Sequence, residues 1–267
     1  MNIQKLSNIL RHSIEKMSNK TKSPHLASSL SCIDIIATLY KSVLKLDNKN
    51  PNWDLRDRFI LSKGHAAAAL YVALEYKGII TKSELDSYTK YGSLLEEHPS
   101  PKLAGVEAAT GSLGHGLSIG CGLALSSKIS KKKFMTYVLM SDGECNEGSV
   151  WEAALFASAK KLNNLCAFVD YNKWQATGKS KDILNLGSLT KKFYQFGWNV
   201  LEIDGHNHKL ISDACKSAKK EKIKPTIVVA NTIKGKGISF MEDDNNWHYR
   251  IPSLNEVELA EKELGLK

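Results

Sequence analysis

The sequence contains no long uninterrupted apolar stretch, and none of its apolar runs approaches the 18 residues that suggest a membrane-spanning helix. The first ten residues, MNIQKLSNIL, are too polar for a secretory signal peptide. We therefore expect a protein with no membrane partner and with a cytoplasmic location.

Paired cysteines are missing as well. The five cysteines are odd in number and show no C-x-x-C spacing, and most of them lie among apolar residues: Cys32, Cys121, Cys145, Cys166 and Cys215. This pattern favours buried, reduced thiols over disulfides or zinc ligands.

Aromatic residues are absent from two lysine clusters, Lys131–Lys133 and Lys216–Lys224, which carry much of the local excess behind the formal net charge of +9. A nucleic-acid site would interleave such lysines with aromatic side chains on which bases stack. The clusters therefore favour a solvated, lysine-rich surface over a nucleic-acid site. A basic surface also suits an anionic substrate.

The chain does contain alternating helical and strand-like segments. Its 267 residues, 42% hydrophobic and 24% charged, can bury one large core. Apolar residues at helical spacing from Ile3 to Met17 predict a first helix, and Ser31 is the expected N-cap of a second helix, near Cys32 to Leu44. Strands are predicted at 58–62, 136–140, 165–170, 199–204 and 226–231, with helices at 148–161 and 207–220 between the later ones.

Strands that alternate with helices indicate parallel pairing. We therefore predict an α/β fold, a doubly wound and mostly parallel sheet with helices on both faces. Residues 1–267 are expected to form a single domain, in which about 238–267 form a C-terminal loop and helix. In such sheets, ligands bind beyond the carboxyl ends of the strands.

Two of the predicted strands end in oxygen-bearing side chains thirty positions apart. Asp142 follows the run TYVLMS, and Asn172 follows LCAFVDY. Mg²⁺ prefers oxygen ligands and commonly shares them with phosphate groups. Gly143 would let the backbone approach a phosphate closely. Asp142-Gly143 could equally be a simple turn and Asn172 a loop residue, and the pair alone does not separate these interpretations.

The longer pattern S-D-G-E-C-N-E-G…D-Y-N-K-W-Q resembles the cofactor motif of thiamine-diphosphate enzymes and, among them, transketolase. That motif begins G-D-G, so Ser141 replaces its first glycine. The resemblance implies that Asp142 and Asn172 hold Mg²⁺ (or Ca²⁺ or Mn²⁺) through their side chains, and Trp174 through its backbone carbonyl. It implies thiamine diphosphate as the cofactor.

Four further segments resemble transketolase in the same order: SPHLASSLSCIDIIATLY, DRFILSKGHAAAALY, HPSPKLAGVEAATGSLGHGLSIGCGLAL and NTIKGKGISFMEDDNNWHY. The similarity spans nearly the whole chain, about residues 3 to 249. Glu147 matches an acidic family residue near a subunit interface, although a carboxylate in the first turn of a helix needs no such role. The cofactor-binding residues implied by the resemblance are His65, Gly114, Gly143, Glu147, Asn172 and His248.

The histidines have a chemical reason to occupy these motifs, because imidazole transfers protons near neutral pH. A single histidine is more often structural, but four in motif positions favour a site. By the resemblance, His98 contacts the hydroxyl beside the reacting carbonyl, and His25 and His248 line the substrate channel. The implied catalytic residues are therefore His25, His98 and His248.

The resemblance covers only the first of three transketolase domains. It therefore implies a separate partner subunit with the pyrimidine-binding and C-terminal domains, and an α₂β₂ heterotetramer with the cofactor between subunits. The implied reaction moves a two-carbon ketol unit from a ketose (phosphate) donor to an aldose acceptor. Ser23-Pro24-His25-Leu26-Ala27 departs from the family's S-G-H-x-G. This departure leaves the sugars open, whether of the pentose phosphate pathway or of a dedicated biosynthesis.

Other functions remain as alternatives at this point. The diphosphate-binding subunit of a 2-oxoacid dehydrogenase, or a deoxyxylulose phosphate synthase, would bind the same cofactor but decarboxylate an oxoacid. A non-catalytic partner could keep the site for assembly only. A nucleic-acid-binding module would rest on net charge alone. The segments SKGHA, EEHPS and ATGSLGHG together favour transketolase.

Overall fold

The computed structural model describes residues 1–267, and its centre is a five-stranded sheet. All neighbouring strands pair in parallel, in the order β1-β2-β3-β5-β4. The strands are β1 Arg58–Leu61, β2 Thr136–Ser141, β3 Leu165–Tyr171, β4 Asn199–Asp204 and β5 Thr226–Asn231. These bounds agree with the predicted strands to within one residue at each end.

Ten α-helices accompany the strands. They are α1 Ile3–Thr21, α2 Leu26–Thr38, α3 Ala67–Tyr76, α4 Lys82–Leu85, α5 Gly116–Ile129, α6 Gly148–Ala159, α7 Ser180–Ile183, α8 Leu189–Gln195, α9 His208–Lys220 and α10 Leu254–Glu263. A π-helical segment, Leu39–Val43, continues α2, and short 3₁₀ turns include Gly64–Ala66 and Asn245–His248.

Strand β2 shows how the sheet divides the core into two layers. Tyr137 and Leu139 belong to a core that includes residues of α1, α2, α3 and α9. Val138 and Met140 belong to a second core with residues of α5, α6 and α8. Successive side chains of a strand point to opposite faces, so an unbroken apolar strand requires helices on both sides. The predicted doubly wound α/β fold is confirmed.

The predicted start of α2 is wrong. The helix begins at Leu26 with His25 as its N-cap, and Ser31 lies inside it, fully buried. The Ser31 hydroxyl donates to Asp170 Oδ2 at 2.6 Å instead of capping a helix end. A serine was a reasonable cap by local preference, but here a buried acceptor on a neighbouring strand satisfies it.

The segment Leu26–Val43, with a mean hydropathy of 1.3, is long and apolar enough to cross a membrane by length and composition alone. However, 89% of it is buried inside the protein. Such burial is typical of a helix in the core of a protein.

Helices α3 and α5 were not predicted. Both consist largely of small and apolar residues. Helix α3 is buried on most sides, whereas α5 is buried along one face and exposes small or apolar residues such as Ser118, Ile119 and Gly122 on the other. In neither case does a charged face give a clear 3.6-residue periodicity.

The cysteine prediction is confirmed, because all five thiols are buried and free. Burial raises the pKa of each thiol, for instance that of Cys32 to about 12. These side chains therefore behave as small apolar residues of the core.

Candidate active site

Four histidines from distant parts of the chain converge beyond the carboxyl edge of the sheet. The ring of His25 lies 5.5 Å from that of His65, 6.4 Å from that of His98 and 5.1 Å from that of His248, measured between ring centres. They line one cavity of about 390 Å³. The same cavity is lined by Ser141, Gly143, Glu147, Asn172 and Trp174.

Local backbone structure positions three of these histidines. His65 lies in the 3₁₀ turn directly after β1 and before α3. His25 adopts a left-handed conformation, with φ of 67°, before α2, and its N–H donates to the carbonyl of His248 at 2.8 Å. His248 ends the 3₁₀ turn that follows β5. The backbone thus joins the two sequence-distant histidines directly.

The imidazoles of His25, His65 and His248 are neutral at physiological pH. Burial, with help from neighbouring cations and imidazoles, lowers the pKa of His25 to about 4 and that of His248 to about 3. Burial also lowers the pKa of His65 well below its usual value. Neutral imidazoles can each donate one hydrogen bond and accept another, which suits contacts with sugar hydroxyls.

The tautomer of His248 follows from its partner. The ammonium of Lys234 lies 3.0 Å from His248 Nδ1 and donates to Asn245 Oδ1 at 2.5 Å. Burial lowers the pKa of Lys234 to about 8, so the amine is still mainly protonated at pH 7. An ammonium can only donate, so Nδ1 of the neutral ring accepts a hydrogen bond from it. The ring proton of His248 is therefore assigned to Nε2.

The two residues expected at a metal directly follow neighbouring strands, Asp142 after β2 and Asn172 after β3. Ser141 pairs with Asp170 in the register of β2 and β3, and the N–H of Asp142 donates to the Asp170 carbonyl at 3.3 Å. Asn172 therefore lies beside Asp142 at the same edge of the sheet. Its Oδ1 accepts from the N–H of Trp174 at 3.0 Å.

Asp142 provides the test of whether a cation fits here. Its Oδ2 accepts from the Ser180 hydroxyl at 2.6 Å, but its buried Oδ1 has no hydrogen-bond partner. Burial raises the pKa of this carboxyl to about 6. A buried carboxylate oxygen without a partner is costly, and a divalent cation would satisfy it. The residues present therefore fit a metal.

The site contains no group of three or more His, Cys, Asp or Glu side chains that could hold a metal ion, and neither does the rest of the chain. The metal ligands implied by the resemblance are not such a group, because they combine the Asp142 carboxylate with the Asn172 amide oxygen and the Trp174 backbone carbonyl. Mg²⁺ sites with few protein ligands take their remaining oxygens from phosphate and water. This set suits a metal shared with a diphosphate.

Two glycines keep the wall of the site open. A Cβ on Gly111, whose φ is 139°, would overlap the His98 imidazole. A Cβ on Gly114, whose φ is 88°, would lie 2.6 Å from Glu147 Cβ. Both positions therefore combine a backbone conformation that favours glycine with a close approach. Gly114 supports the site from behind and is not part of the cavity lining.

Of the other predicted residues, Glu147 and Trp174 line the cavity, whereas Asp142 does not. Glu147 is exposed as the N-cap of α6 and lines the cavity. Trp174 lines the cavity too, and its indole N–H donates to Asp243 Oδ1 at 2.6 Å. Asp142 lines a smaller adjacent cavity together with Ser180 and does not line the histidine cavity itself.

Sequence reasoning missed a buried ion pair beneath the site. Lys63 and Asp170 are completely buried, and Lys63 Nζ lies 2.5 Å from Asp170 Oδ2. Burial opposes both charges, but each partner outweighs it, so the pKa of Asp170 is lowered and that of Lys63 raised. Lys63 stands within the SKGH motif next to a buried strand, and a lysine there was the signal available in the sequence.

Glu144 is a second missed residue. This fully buried carboxylate accepts from the Ser62 hydroxyl and, at 2.9 Å, from the N–H of Gly114. It therefore connects the end of β1, the glycine loop before α5 and the turn after β2. Burial raises its pKa. The only sign of this role in the sequence is the position of Glu144 directly after Asp142-Gly143.

Residues 3–267 match the family described as transketolase, thiamine diphosphate binding domain. The chain belongs to this family. It is 39% identical over 246 residues to one subunit of the apulose-4-phosphate transketolase of Phocaeicola vulgatus, covering 92% of this chain and 88% of that protein. It is 40% identical over 243 residues to the 6-deoxy-6-sulfo-D-fructose transketolase subunit SqwG of Clostridium sp. strain MSTE9, covering 91% and 88%.

The fold of this transketolase domain matches a solved transketolase closely. The crystal structure of transketolase from Campylobacter jejuni superimposes with a TM-score of 0.94 at 31% identity, covering 99% of this chain. The match covers 43% of that transketolase chain. The chain thus spans less than half the length of the solved transketolase but nearly all of the two relatives named as single subunits.

Proposed function

We propose that this chain is the N-terminal, diphosphate-binding subunit of a two-component transketolase. The enzyme would transfer a two-carbon ketol unit from a ketose (phosphate) donor to an aldose acceptor, with thiamine diphosphate and Mg²⁺. The observation that carries the proposal is the convergence of His25, His65, His98 and His248 on one cavity that also includes the strand-end residues Gly143 and Asn172.

The residues in and beside the cavity suit different parts of this task. Asp142, Asn172 and the Trp174 carbonyl would hold the metal, and His65, Gly143 and the loop N–H groups would contact the diphosphate. When bound, thiamine diphosphate supplies the carbanion chemistry that protein side chains lack.

The other histidines would act on the sugar. A neutral His248 would present its Nε2–H, held in place by Lys234, toward the cavity. His98 and His25 would exchange protons with sugar hydroxyls near the reacting carbonyl. Glu147, at the rim, would lie close to the cofactor at a contact between subunits.

A separate partner subunit completes the proposal. The two relatives named as subunits have nearly the length of this chain, whereas the chain matches only 43% of the solved transketolase. We expect the partner to contribute the pyrimidine-binding and C-terminal domains in an α₂β₂ heterotetramer. We further propose that the complex works in the cytoplasm, without nucleic acid or membrane partners.

The substrate is proposed only by class. The names of the two relatives contain different sugars, apulose 4-phosphate and 6-deoxy-6-sulfo-D-fructose, and both sugars carry an anionic group. A formal net charge of +9 suits an anionic sugar here as well. The choice among anionic ketoses would then depend partly on the unusual Ser23-Pro24-His25-Leu26-Ala27 segment.

The proposal is tested by reconstitution. The purified chain, its partner and their mixture are each assayed with thiamine diphosphate and Mg²⁺, once with a panel of phosphorylated and sulfonated ketoses as donors and once with pyruvate. We expect ketol transfer only from the mixture. Transfer by the isolated chain would overturn the partner requirement, and carbon dioxide release from pyruvate without ketol transfer would favour an oxoacid-decarboxylating enzyme.

A further inference from the structure

A second cluster of buried charged groups lies outside the cavity, where α1, α2 and the end of β4 meet. Its centre is Asp34 of α2, which is 2% exposed. Asp34 Oδ2 accepts from Arg11 Nη2 at 2.5 Å and from His206 Nδ1 at 2.8 Å. Burial raises the pKa of Asp34, but Arg11 and His206 lower it by more, so the carboxylate is charged.

Arg11 and His206 each reach past Asp34 to the same backbone segment. Arg11 Nε donates to the carbonyl of Lys236 at 2.8 Å. His206 Nε2 accepts from the N–H of Ile233 at 2.9 Å. Because His206 Nε2 is an acceptor, its proton lies on Nδ1 and points to Asp34. One carboxylate thus orients two side chains that hold both ends of the turn Ile233–Lys236.

The turn has little freedom to adopt another shape. The N–H of Gly235 donates to the carbonyl of Ala27 at 3.1 Å, which ties the turn to the start of α2. A Cβ on Gly237 would lie 2.8 Å from the Arg11 side chain. Lys234 and Gly235 lie between the two held ends, and the ammonium of Lys234 contacts His248 Nδ1 at 3.0 Å.

We propose that Asp34, Arg11 and His206 act as one positioning unit. Arg11 and His206, both bound to Asp34, hold the two ends of the turn and so place Lys234 against His248. The inference rests on the proposed function for its catalytic consequence, because His248 is there a substrate-channel residue. The geometry itself does not depend on that function. Asp34 touches neither the cavity nor His248, so its effect passes through the backbone of the turn.

The test reads the tautomer of His248 directly. The full-length chain is labelled with ¹⁵N-histidine, and the ring nitrogens are observed at pH 7 by long-range proton–nitrogen correlation, with His248→Gln to assign the signals. We expect His248 with an unprotonated, hydrogen-bonded Nδ1 and a protonated Nε2. His206→Ala removes the acceptor of the Ile233 N–H, and we expect His248 to change to a mixture of tautomers.

A conservative variant separates positioning from general destabilisation. The amide of His206→Gln can donate to Asp34 and accept from Ile233, so it should retain the original His248 signals. His115→Gln is the matched control, because His115 is exposed and does not line the cavity. If His206→Ala does not fold, Arg11→Lys, which cannot reach both Asp34 and Lys236 in the same way, serves instead.

The outcomes distinguish the inference from the proposed function. A lowered melting temperature with unchanged His248 signals in His206→Ala would mean a structural role only and would overturn the inference. If the signals change, the assembled enzyme should lose up to about 100-fold in kcat/KM for the donor, the order of loss expected for slight misplacement. A complex that transfers no ketol unit, with His248 responding as expected, would overturn only the proposed function.

Discussion

At the residue scale, Asp142 combines an energetic cost with a proposed role. Its carboxyl is buried, one of its oxygens is unpartnered, and its pKa is raised from 3.8 to about 6. A carboxyl whose pKa rises on folding contributes its full stabilisation at pH values below its pKa in the unfolded chain. This stabilisation is lost as the pH rises through its pKa in the folded protein. The charged form therefore destabilises the metal-free chain above about pH 6.

We predict that Asp142→Asn stabilises the metal-free chain at pH 7.5, because the amide removes a buried charge. The gain is at most about 3 kcal/mol, since one pKa unit corresponds to about 1.4 kcal/mol. Urea unfolding at pH 7.5 and at pH 4 measures it, and the gain should shrink at the lower pH. Asp182→Asn, at an exposed position, is the control. Equal stability of Asp142→Asn and the unchanged chain at pH 7.5 would contradict a costly buried charge.

The same substitution should have the opposite effect on the loaded complex. Asp142→Asn weakens the metal site, so thiamine diphosphate affinity at fixed Mg²⁺ should fall. Titration of the assembled complex with the cofactor measures this. An unchanged affinity would mean that Asp142 is only a turn residue after β2.

His98 should affect turnover more than cofactor binding. Its ring lies 6.4 Å from that of His25 and packs against Gly111, in a cavity that Asp142 does not line. We predict that His98→Ala lowers kcat/KM for the donor by about 10²–10⁴-fold, the range for general acid–base groups, with cofactor affinity retained. His115→Ala is the control. Full turnover of His98→Ala would remove His98 from the substrate channel.

At the scale of elements, the buried pair Lys63–Asp170 connects four segments. Lys63 follows β1, Asp170 belongs to β3, and the Asp170 carboxylate also accepts from Ser31 of α2 at 2.6 Å and from Thr232 after β5 at 2.5 Å. Lys63 donates to the carbonyl of Ser28 at 2.8 Å. Removing one partner of such a pair leaves an uncompensated buried charge.

We predict that Lys63→Met lowers the free energy of unfolding by about 3–5 kcal/mol. Lys82→Met is the matched control, because Lys82 pairs with Asp86 at 3.4 Å on the exposed face of α4 and should contribute under about 1 kcal/mol. Urea unfolding compares the two. The double variant Lys63→Met/Asp170→Asn should lose less than the sum of its single changes, and simple additivity would argue against the coupling.

At the scale of the whole molecule, the proposed site is only part of an enzyme. The chain covers 43% of the solved transketolase chain that it matches. A cofactor that lies between two subunits binds the assembled complex more tightly than it binds either isolated subunit. Ligand binding stabilises the protein form that binds the ligand against unfolding.

We therefore predict that native mass spectrometry of the mixed subunits shows two copies of each. Thiamine diphosphate with Mg²⁺ should raise the melting temperature of this complex by more than that of the isolated chain. A fully active complex with one copy of each subunit would contradict the heterotetramer while leaving the partner requirement intact. Equal shifts with and without the partner would argue against a cofactor site shared between subunits.

Much of the fold was predictable because its strands are buried on both faces. Such strands appear as short apolar runs, and their alternation with helices indicated the parallel sheet. Helix α3 escaped prediction because it is buried on most sides, and α5 because its exposed face carries small and apolar residues, so that neither shows a clear periodicity. The start of α2 was misplaced because Ser31 has an Asp170 partner that no local pattern shows.

The sequence by itself determined which chemical groups follow which strands: Asp142 after β2, Asn172 after β3, and four histidines in separate motifs. Motif and strand order suffice for this, because the carboxyl ends of parallel strands share one edge. Tertiary structure alone decided the protonation and orientation of those groups. Burial neutralises His248, Lys234 fixes its tautomer, and Asp34 holds the turn that carries Lys234. These effects depend on burial and on contacts between residues far apart in the chain, which local sequence does not specify.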